Sequence, residues 1–218
     1  NVVTTRTDAI TVSLSGATLT GADSDGTKTI NAELGEAAFT GLGVQGKVTE
    51  AKKKLTFTAF GLTSVEQEFT LLHGAATHVT LEVSTTAGSG DVLSKQPIVR
   101  VLDADENPVI TGADSTRTAT ISIDAASVSA GVELGGTKTL QASAGVANFA
   151  GKDLKLTGLN RTVYLMASVG DGMFATQAIT LGAGQPAAMV FDRAPSTFNA
   201  DNSVQTKSGD NLIVQPIV

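Results

Sequence analysis

"GTKTLQASAGVANFAG", residues 136–151, decides how this chain is read, because residues 26–41 nearly repeat it as "GTKTINAELGEAAFTG". The two copies lie 110 residues apart, Gly26 against Gly136. The same spacing relates Gly35 to Gly145, Phe39 to Phe149, Gly41 to Gly151, and Thr70-Leu71 to Thr180-Leu181. With a slip of one residue, "TVSL" (11–14) matches "TISI" (120–123). A third pair, "QPIV" at 96–99 and 215–218, is 119 residues apart. The extra residues fall within "DRAPSTFNADNSVQTK" (192–207), whose Pro, Asn and Ser content reads as a longer loop. Self-similarity at one period marks a modular chain.

The phase of the repeat sets the expected domain organisation. Residues 74–183 form one complete unit. Residues 1–73 match a unit lacking its first two strands, with Asn1 in the place of Asn107. Residues 184–218 match those two missing strands and stop inside the phrase that the inner copy completes as "QPIVRVLDADENPV" (96–109).

Composition gives the fold class. Hydrophobic residues make up 41% of the 218 and charged residues 17%, which is a globular balance. The apolar residues are chiefly Val, Ala, Leu and Ile, and Thr and Gly abound. β-branched side chains are stiff at χ1 and suit a pleated surface. No stretch holds a helical period for more than about two turns. The chain is therefore expected to be all-β, with strands in the complete unit near 76–84, 92–102, 117–123, 137–142, 145–150, 162–168 and 174–181. Such short strands between turn signals predict a sandwich. Alternation turns Val163, Leu165 and Ala167 inward and Tyr164 outward. In the first unit, "LTFTA" (55–59) turns Leu55, Phe57 and Ala59 inward. Phe39 and Phe149 are the largest apolar groups on otherwise small-residue strands, so each is expected at the centre of its core. Pro97 and Pro216 cannot donate to a ladder, which predicts an edge strand or a bulge at each.

Several function classes are disfavoured. A net charge of −6 opposes binding to a phosphate backbone, so nucleic acid is not an expected partner. The basic run Lys52-Lys53-Lys54 reads as a solvated loop or strand edge. No apolar stretch reaches the roughly 18 residues of a membrane helix, so no membrane insertion is expected. With no cysteine, disulfides, thiolate chemistry and Cys-ligated zinc are excluded. No G-x-S-x-G elbow occurs, and no set of residues suggests catalysis, so the expectation is a non-enzyme without a cofactor.

The order "VTLEVS…QPIVRVLDADENPV…TISI…GTKTL…GVANFAG…YLMASVGDG…AITLGAG" resembles the bacterial immunoglobulin-like repeat domains of invasin- and intimin-type adhesins and of surface-layer and filament proteins. The resemblance implies tandem immunoglobulin-like sandwiches outside the cell, here out of phase with the chain ends. The leading expectation is a structural subunit or segment of an extracellular filament or surface array, its partners being other copies of itself or adjacent repeats of one long chain. Strand-donor residues are then Leu212, Ile213, Val214, Gln215, Pro216, Ile217 and Val218, docking with residues 184–218 onto a 1–73 unit. The alternative is the spacer of an adhesin that binds a host or glycan ligand through its loops. Candidate calcium ligands are Asp23 and Asp25 in "DSDG" and Asp103 and Asp105 in "DADEN", although Asx-stabilised turns need no ion. Asn160 in "NRT" is a candidate glycosylation site. His73 and His78 lack an evident third ligand and read as exposed linker residues.

Overall fold

The computed structural model describes residues 5–125, 131–186 and 188. The donor stretch 212–218 lies outside them, as does Pro216's expected edge or bulge. The described residues are all-β, with one 3-10 turn at Ala113–Thr116 and no α-helix among them.

Residues 8–69 contribute β1 (Ala9–Ser15), β2 (Thr18–Thr20), β3 (Lys28–Asn31), β4 (Gly43–Gln45), β5 (Lys53–Ala59) and β6 (Val65–Phe69). They build an antiparallel sheet in the order β3-β1-β5-β6 and a short β2-β4 ribbon. Residues 78–182 contribute β7 (His78–Glu82), β8 (Thr86–Gly88), β9 (Ile98–Leu102), β10 (Thr118–Ile123), β11 (Glu133–Gly135), β12 (Thr139–Gln141), β13 (Val146–Asn148), β14 (Lys155–Thr157), β15 (Arg161–Ser168) and β16 (Phe174–Gly182). Here a five-stranded sheet, β12-β10-β15-β16-β8, is accompanied by a three-stranded sheet, β13-β9-β7, and a β11-β14 ribbon. Only the β16–β8 pairing is parallel among these named strands.

The repeat is preserved in register. In the second region Ile121 faces Ala167 and Ile123 faces Leu165, as Val12 faces Phe57 and Leu14 faces Leu55 in the first. Period-2 alternation sends Val163, Leu165 and Ala167 into the core and leaves Tyr164 half exposed, as expected. One apolar cluster then fills the space between the sheets, with Phe149 at 0% exposure among Val99, Val101, Ile121, Leu154 and Leu181. That cluster lies wholly within residues 79–181.

Three expectations need correction. β9 begins after Pro97 and is the central strand of its sheet, so Pro97 marks neither an edge nor a bulge. The missing N–H is tolerated there: the Pro97 carbonyl accepts the Phe149 N–H at 2.9 Å, and the Phe149 carbonyl takes the Lys152 N–H at 3.0 Å. Of the lysine run only Lys52 lies in an exposed loop, since Lys53 and Lys54 open the internal strand β5. Alternation pairs Lys54 with Glu66 outside and turns Lys53 inward, to 4% exposure. Phe39 is the third: it is only half buried.

Candidate functional site

The first region holds one sheet of a sandwich. The inner face of β3-β1-β5-β6 carries Ile10, Val12 and Leu14, Ile30, Leu55, Phe57 and Ala59, and Val65 and Phe69. Its outer face carries Thr11 and Thr29, whose hydroxyls share a hydrogen bond, and the Lys54–Glu66 pair. Such alternation builds a sheet with one face meant for a core. Yet of those inner residues only Val12 is buried, and Val65 is 65% exposed. Among the described residues, no sheet equivalent to β13-β9-β7 stands over this face. Phe39 meets Phe57 edge to face, with ring centroids 5.7 Å apart, and its remaining surface has no such cover.

A further absence follows from the same cause. In the second region β13 exists as a strand by pairing with β9, Ala147 opposite Val99. Its counterpart, residues 36–38, forms no strand, because no β9 lies beside it among the described residues. The approach to β9 and its first two residues, "QPIV" (96–99), recur at 215–218. Fully burying a Leu or Phe contributes roughly 1.5–3 kcal/mol, so a half-exposed face of this size leaves substantial stabilisation unrealised. Its edge strand β6 bears Glu66 and Glu68, charges that discourage indiscriminate pairing.

A second feature joins the two regions. Asp103 is 3% exposed and accepts the N–H groups of Gly74 (2.7 Å), Asp105 (2.9 Å) and Asn107 (2.9 Å), and the Asn107 Nδ2 (3.0 Å). Burial opposes its ionisation, but these donors outweigh burial and hold the carboxyl at about 2. Asn107 passes the linkage on: its Nδ2 donates to the Gly46 carbonyl at 3.0 Å and its Oδ1 accepts the Val48 N–H at 2.8 Å. Asp105 Oδ2 accepts the Gly46 N–H at 3.1 Å. The "DADEN" turn is thus an Asx network that fastens the second region to loop 46–48 of the first.

The remaining sequence candidates fall at separate places. Asp25 accepts the Thr27 N–H and hydroxyl, which lower its pKa, and Asp23 accepts Lys28 Nζ at 3.0 Å. Both oxygens of Asp103 are engaged by N–H donors that a calcium ion would have to displace. Among the described residues no group of three or more His, Asp or Glu side chains is placed to hold a metal. His73 is not a free linker residue: Nδ1 meets the Gly74 carbonyl, and Nε2 accepts the Thr111 N–H at 3.2 Å. His78 opens β7, with Nδ1 3.0 Å from the Thr77 hydroxyl. Asn160 is exposed in the turn before β15. Sequence reading missed Asn107, the buried Lys53 and Gln96, which hydrogen-bonds the Leu154 backbone. For Gln96 a signal existed in the recurrence of "QPIV".

No protein-family model matches the sequence, and no curated protein matches it. Among solved structures, the chain is similar to a β-glycosidase from Bacteroides vulgatus (TM-score 0.39, 12% identity, 80% of this chain and 21% of that one). It is also similar to the β-glucuronidase of Parabacteroides merdae (TM-score 0.36, 11% identity, 81% of this chain and 21% of that one). The chain spans about a fifth of the length of each of those enzymes.

Proposed function

We propose that this chain is a structural subunit or segment of an extracellular filament or cell-surface array. It is built from tandem immunoglobulin-like sandwiches and joined head to tail by β-strand complementation. Residues 184–218 of one molecule lie across the inner face of the 1–73 unit of another copy and supply the strands that β7 and β9 supply to the second region. The observation that carries this reading is the half-exposed apolar face of β3-β1-β5-β6, which lacks a second sheet among the described residues, set beside a tail that repeats the "QPIV" leading into β9.

The chemistry suits strand addition. Main-chain hydrogen bonds give affinity, and pockets for alternate side chains give specificity. A donor that leaves one molecule and enters the next makes a heterologous contact, which propagates a fibre instead of closing a dimer. The Asx network from Asp103 to loop 46–48 fastens one sandwich to the next, as a spacer under tension needs. Deleting residues 208–218 is expected to abolish assembly in sedimentation velocity and electron microscopy while the 78–182 region stays folded. Unchanged polymers without that segment would overturn the proposal.

A further inference from the structure

In the second region one amide side chain clasps the covering segment to the backbone ahead of β14. Gln96 Nε2 donates to the Leu154 carbonyl at 3.0 Å and to the Leu93 carbonyl at 3.1 Å. Its Oε1 accepts the Leu154 N–H at 3.0 Å. A primary carboxamide offers donor and acceptor side by side, so it reads both peptide groups of one residue as a neighbouring strand would. Flanking bonds fix the register: the Leu93 N–H donates to the Leu154 carbonyl, and the Phe149 N–H donates to Pro97, both at 2.9 Å. Pro97 adds a constraint of its own, because a residue preceding proline is confined to extended backbone.

The first region contains the matching notch. β4 pairs with β2 and β14 pairs with β11 in the same way, Val44 facing Leu19 and Leu156 facing Leu134. Each of β4 and β14 is followed by a glycine of unusual φ, Gly46 at 149° and Gly158 at 157°. Leu42 therefore stands two residues ahead of Val44 as Leu154 stands two ahead of Leu156. Leu154 is fully buried, whereas Leu42 is half buried, and no amide side chain among the described residues clasps it.

We infer that the Leu42 backbone is the recognition notch for the carboxamide of Gln215. The first region thereby selects an incoming extended segment of the pattern Leu-x-x-Gln-Pro, which this chain carries at Leu93–Pro97 and again at Leu212–Pro216. The inference rests on the strand-complementation reading above and adds its register: Gln215 on Leu42, with the Pro216 carbonyl on the Phe39 N–H. A carboxylate at 215 would face the Leu42 carbonyl without a donor, and an apolar side chain would leave the Leu42 N–H without an acceptor.

Residue-resolved amide hydrogen exchange on the full chain under assembling conditions tests this, comparing the parent with Gln215→Met and with a chain lacking 208–218. The inference expects Gln215→Met to speed exchange at Leu42 about tenfold or more, with amides of residues 163–167 unchanged. If the deletion deprotects Leu42 and Phe39 but Gln215→Met leaves Leu42 at the parent rate, the clasp is wrong and complementation stands. If the deletion alters neither amide, complementation itself fails and the clasp fails with it.

Discussion

Phe149 and Phe39 occupy the same place in the same phrase of sequence, yet one is sealed in a core and the other is half exposed. The residues around them do not explain the difference, because the strands carrying their partners pair in the same register in both regions. What differs is the second sheet. Beside Phe149, continuing the ladder in which its N–H donates to the Pro97 carbonyl, run β9 and then β7, and among the described residues no such strands run beside Phe39. The comparison teaches that burial in a sandwich belongs to a pair of sheets. A strand's own pattern decides which side chains turn inward, but the completeness of both sheets decides how many of them leave water.

The comparison breaks most sharply at Lys53 and Val163, which face the inside from equivalent positions on β5 and β15. Lys53 reaches the Thr49 hydroxyl, 3.2 Å away, at the border of its half-built core. Val163 has 0% exposure and faces Ile179 across the ladder. Val163→Lys puts a charge where no polar partner waits, and should cost about 5 kcal/mol or more, enough to unfold the second region. Lys53→Val should be neutral or stabilising by about 1 kcal/mol. Tyr164 is the only tyrosine and no tryptophan is present, so in urea titrations tyrosine fluorescence reports Val163→Lys in the second region, and far-UV circular dichroism, which sees both sheets, reports Lys53→Val. A Val163→Lys chain with the parental midpoint would mean that the two lysine environments are alike.

Next in size is the phenylalanine pair itself. Phe149→Ala empties a closed core and should cost about 4 kcal/mol. Phe39→Ala removes an edge-to-face contact with Phe57 and part of a burial, about 1 kcal/mol in the unassembled chain. Denaturant melts of both variants at low protein concentration measure the gap. Equal costs would show the first core to be as closed as the second.

How much of this was legible beforehand divides along the same line. Alternation gave the inward triplet Val163, Leu165, Ala167 and its turned-out neighbour Tyr164, because period 2 is a local property of a strand. The same logic put Leu55, Phe57 and Ala59 on one face, and that too is what the structure has. It failed for Phe39, whose burial depends on a sheet formed by other segments. Lys53 was hidden for another reason. Three consecutive lysines look like a solvated run, and only the register of β5 shows that the middle one faces in. The short strands β8, β11 and β14, three residues each, carry too few residues to show a period. The Asx character of "DADEN" was readable, but its reach to Gly46 and Val48 is a contact between regions that no local pattern contains.

Asp103 tests whether that contact is what separates a joined pair of regions from two independent ones. Asp103→Ala leaves the Gly74, Asp105 and Asn107 N–H groups unpaired and should cost about 3 kcal/mol. The same group predicts acid sensitivity. Its folded pKa, about 2, lies below the ordinary 3.8, so its contribution is present above pH 4 and is lost as the pH falls toward 2. Stability of the parent should therefore drop across that window more steeply than stability of Asp103→Asn. Parallel acid titrations would refute the assignment.

The smallest difference concerns the "GTKT" turns with which the two copies were first matched. Gly26 and Gly136 both have left-handed backbone, φ 79° and 92°, so alanine at either is strained by about 1 kcal/mol. Their surroundings differ. A Cβ on Gly26 meets nothing within 4 Å among the described residues, whereas one on Gly136 would lie 2.5 Å from the Asp153 carbonyl oxygen. That oxygen is backbone of the loop leading into β14, two residues ahead of Lys155, which pairs with Gly135, so it cannot swing aside as a side chain would. Gly136→Ala should thus cost about 2 kcal/mol against about 1 for Gly26→Ala, read as midpoint shifts in urea. A larger penalty at Gly26 in assembled samples than in dilute ones would show that its turn becomes enclosed when the missing sheet arrives, and the difference between the regions would then close on assembly.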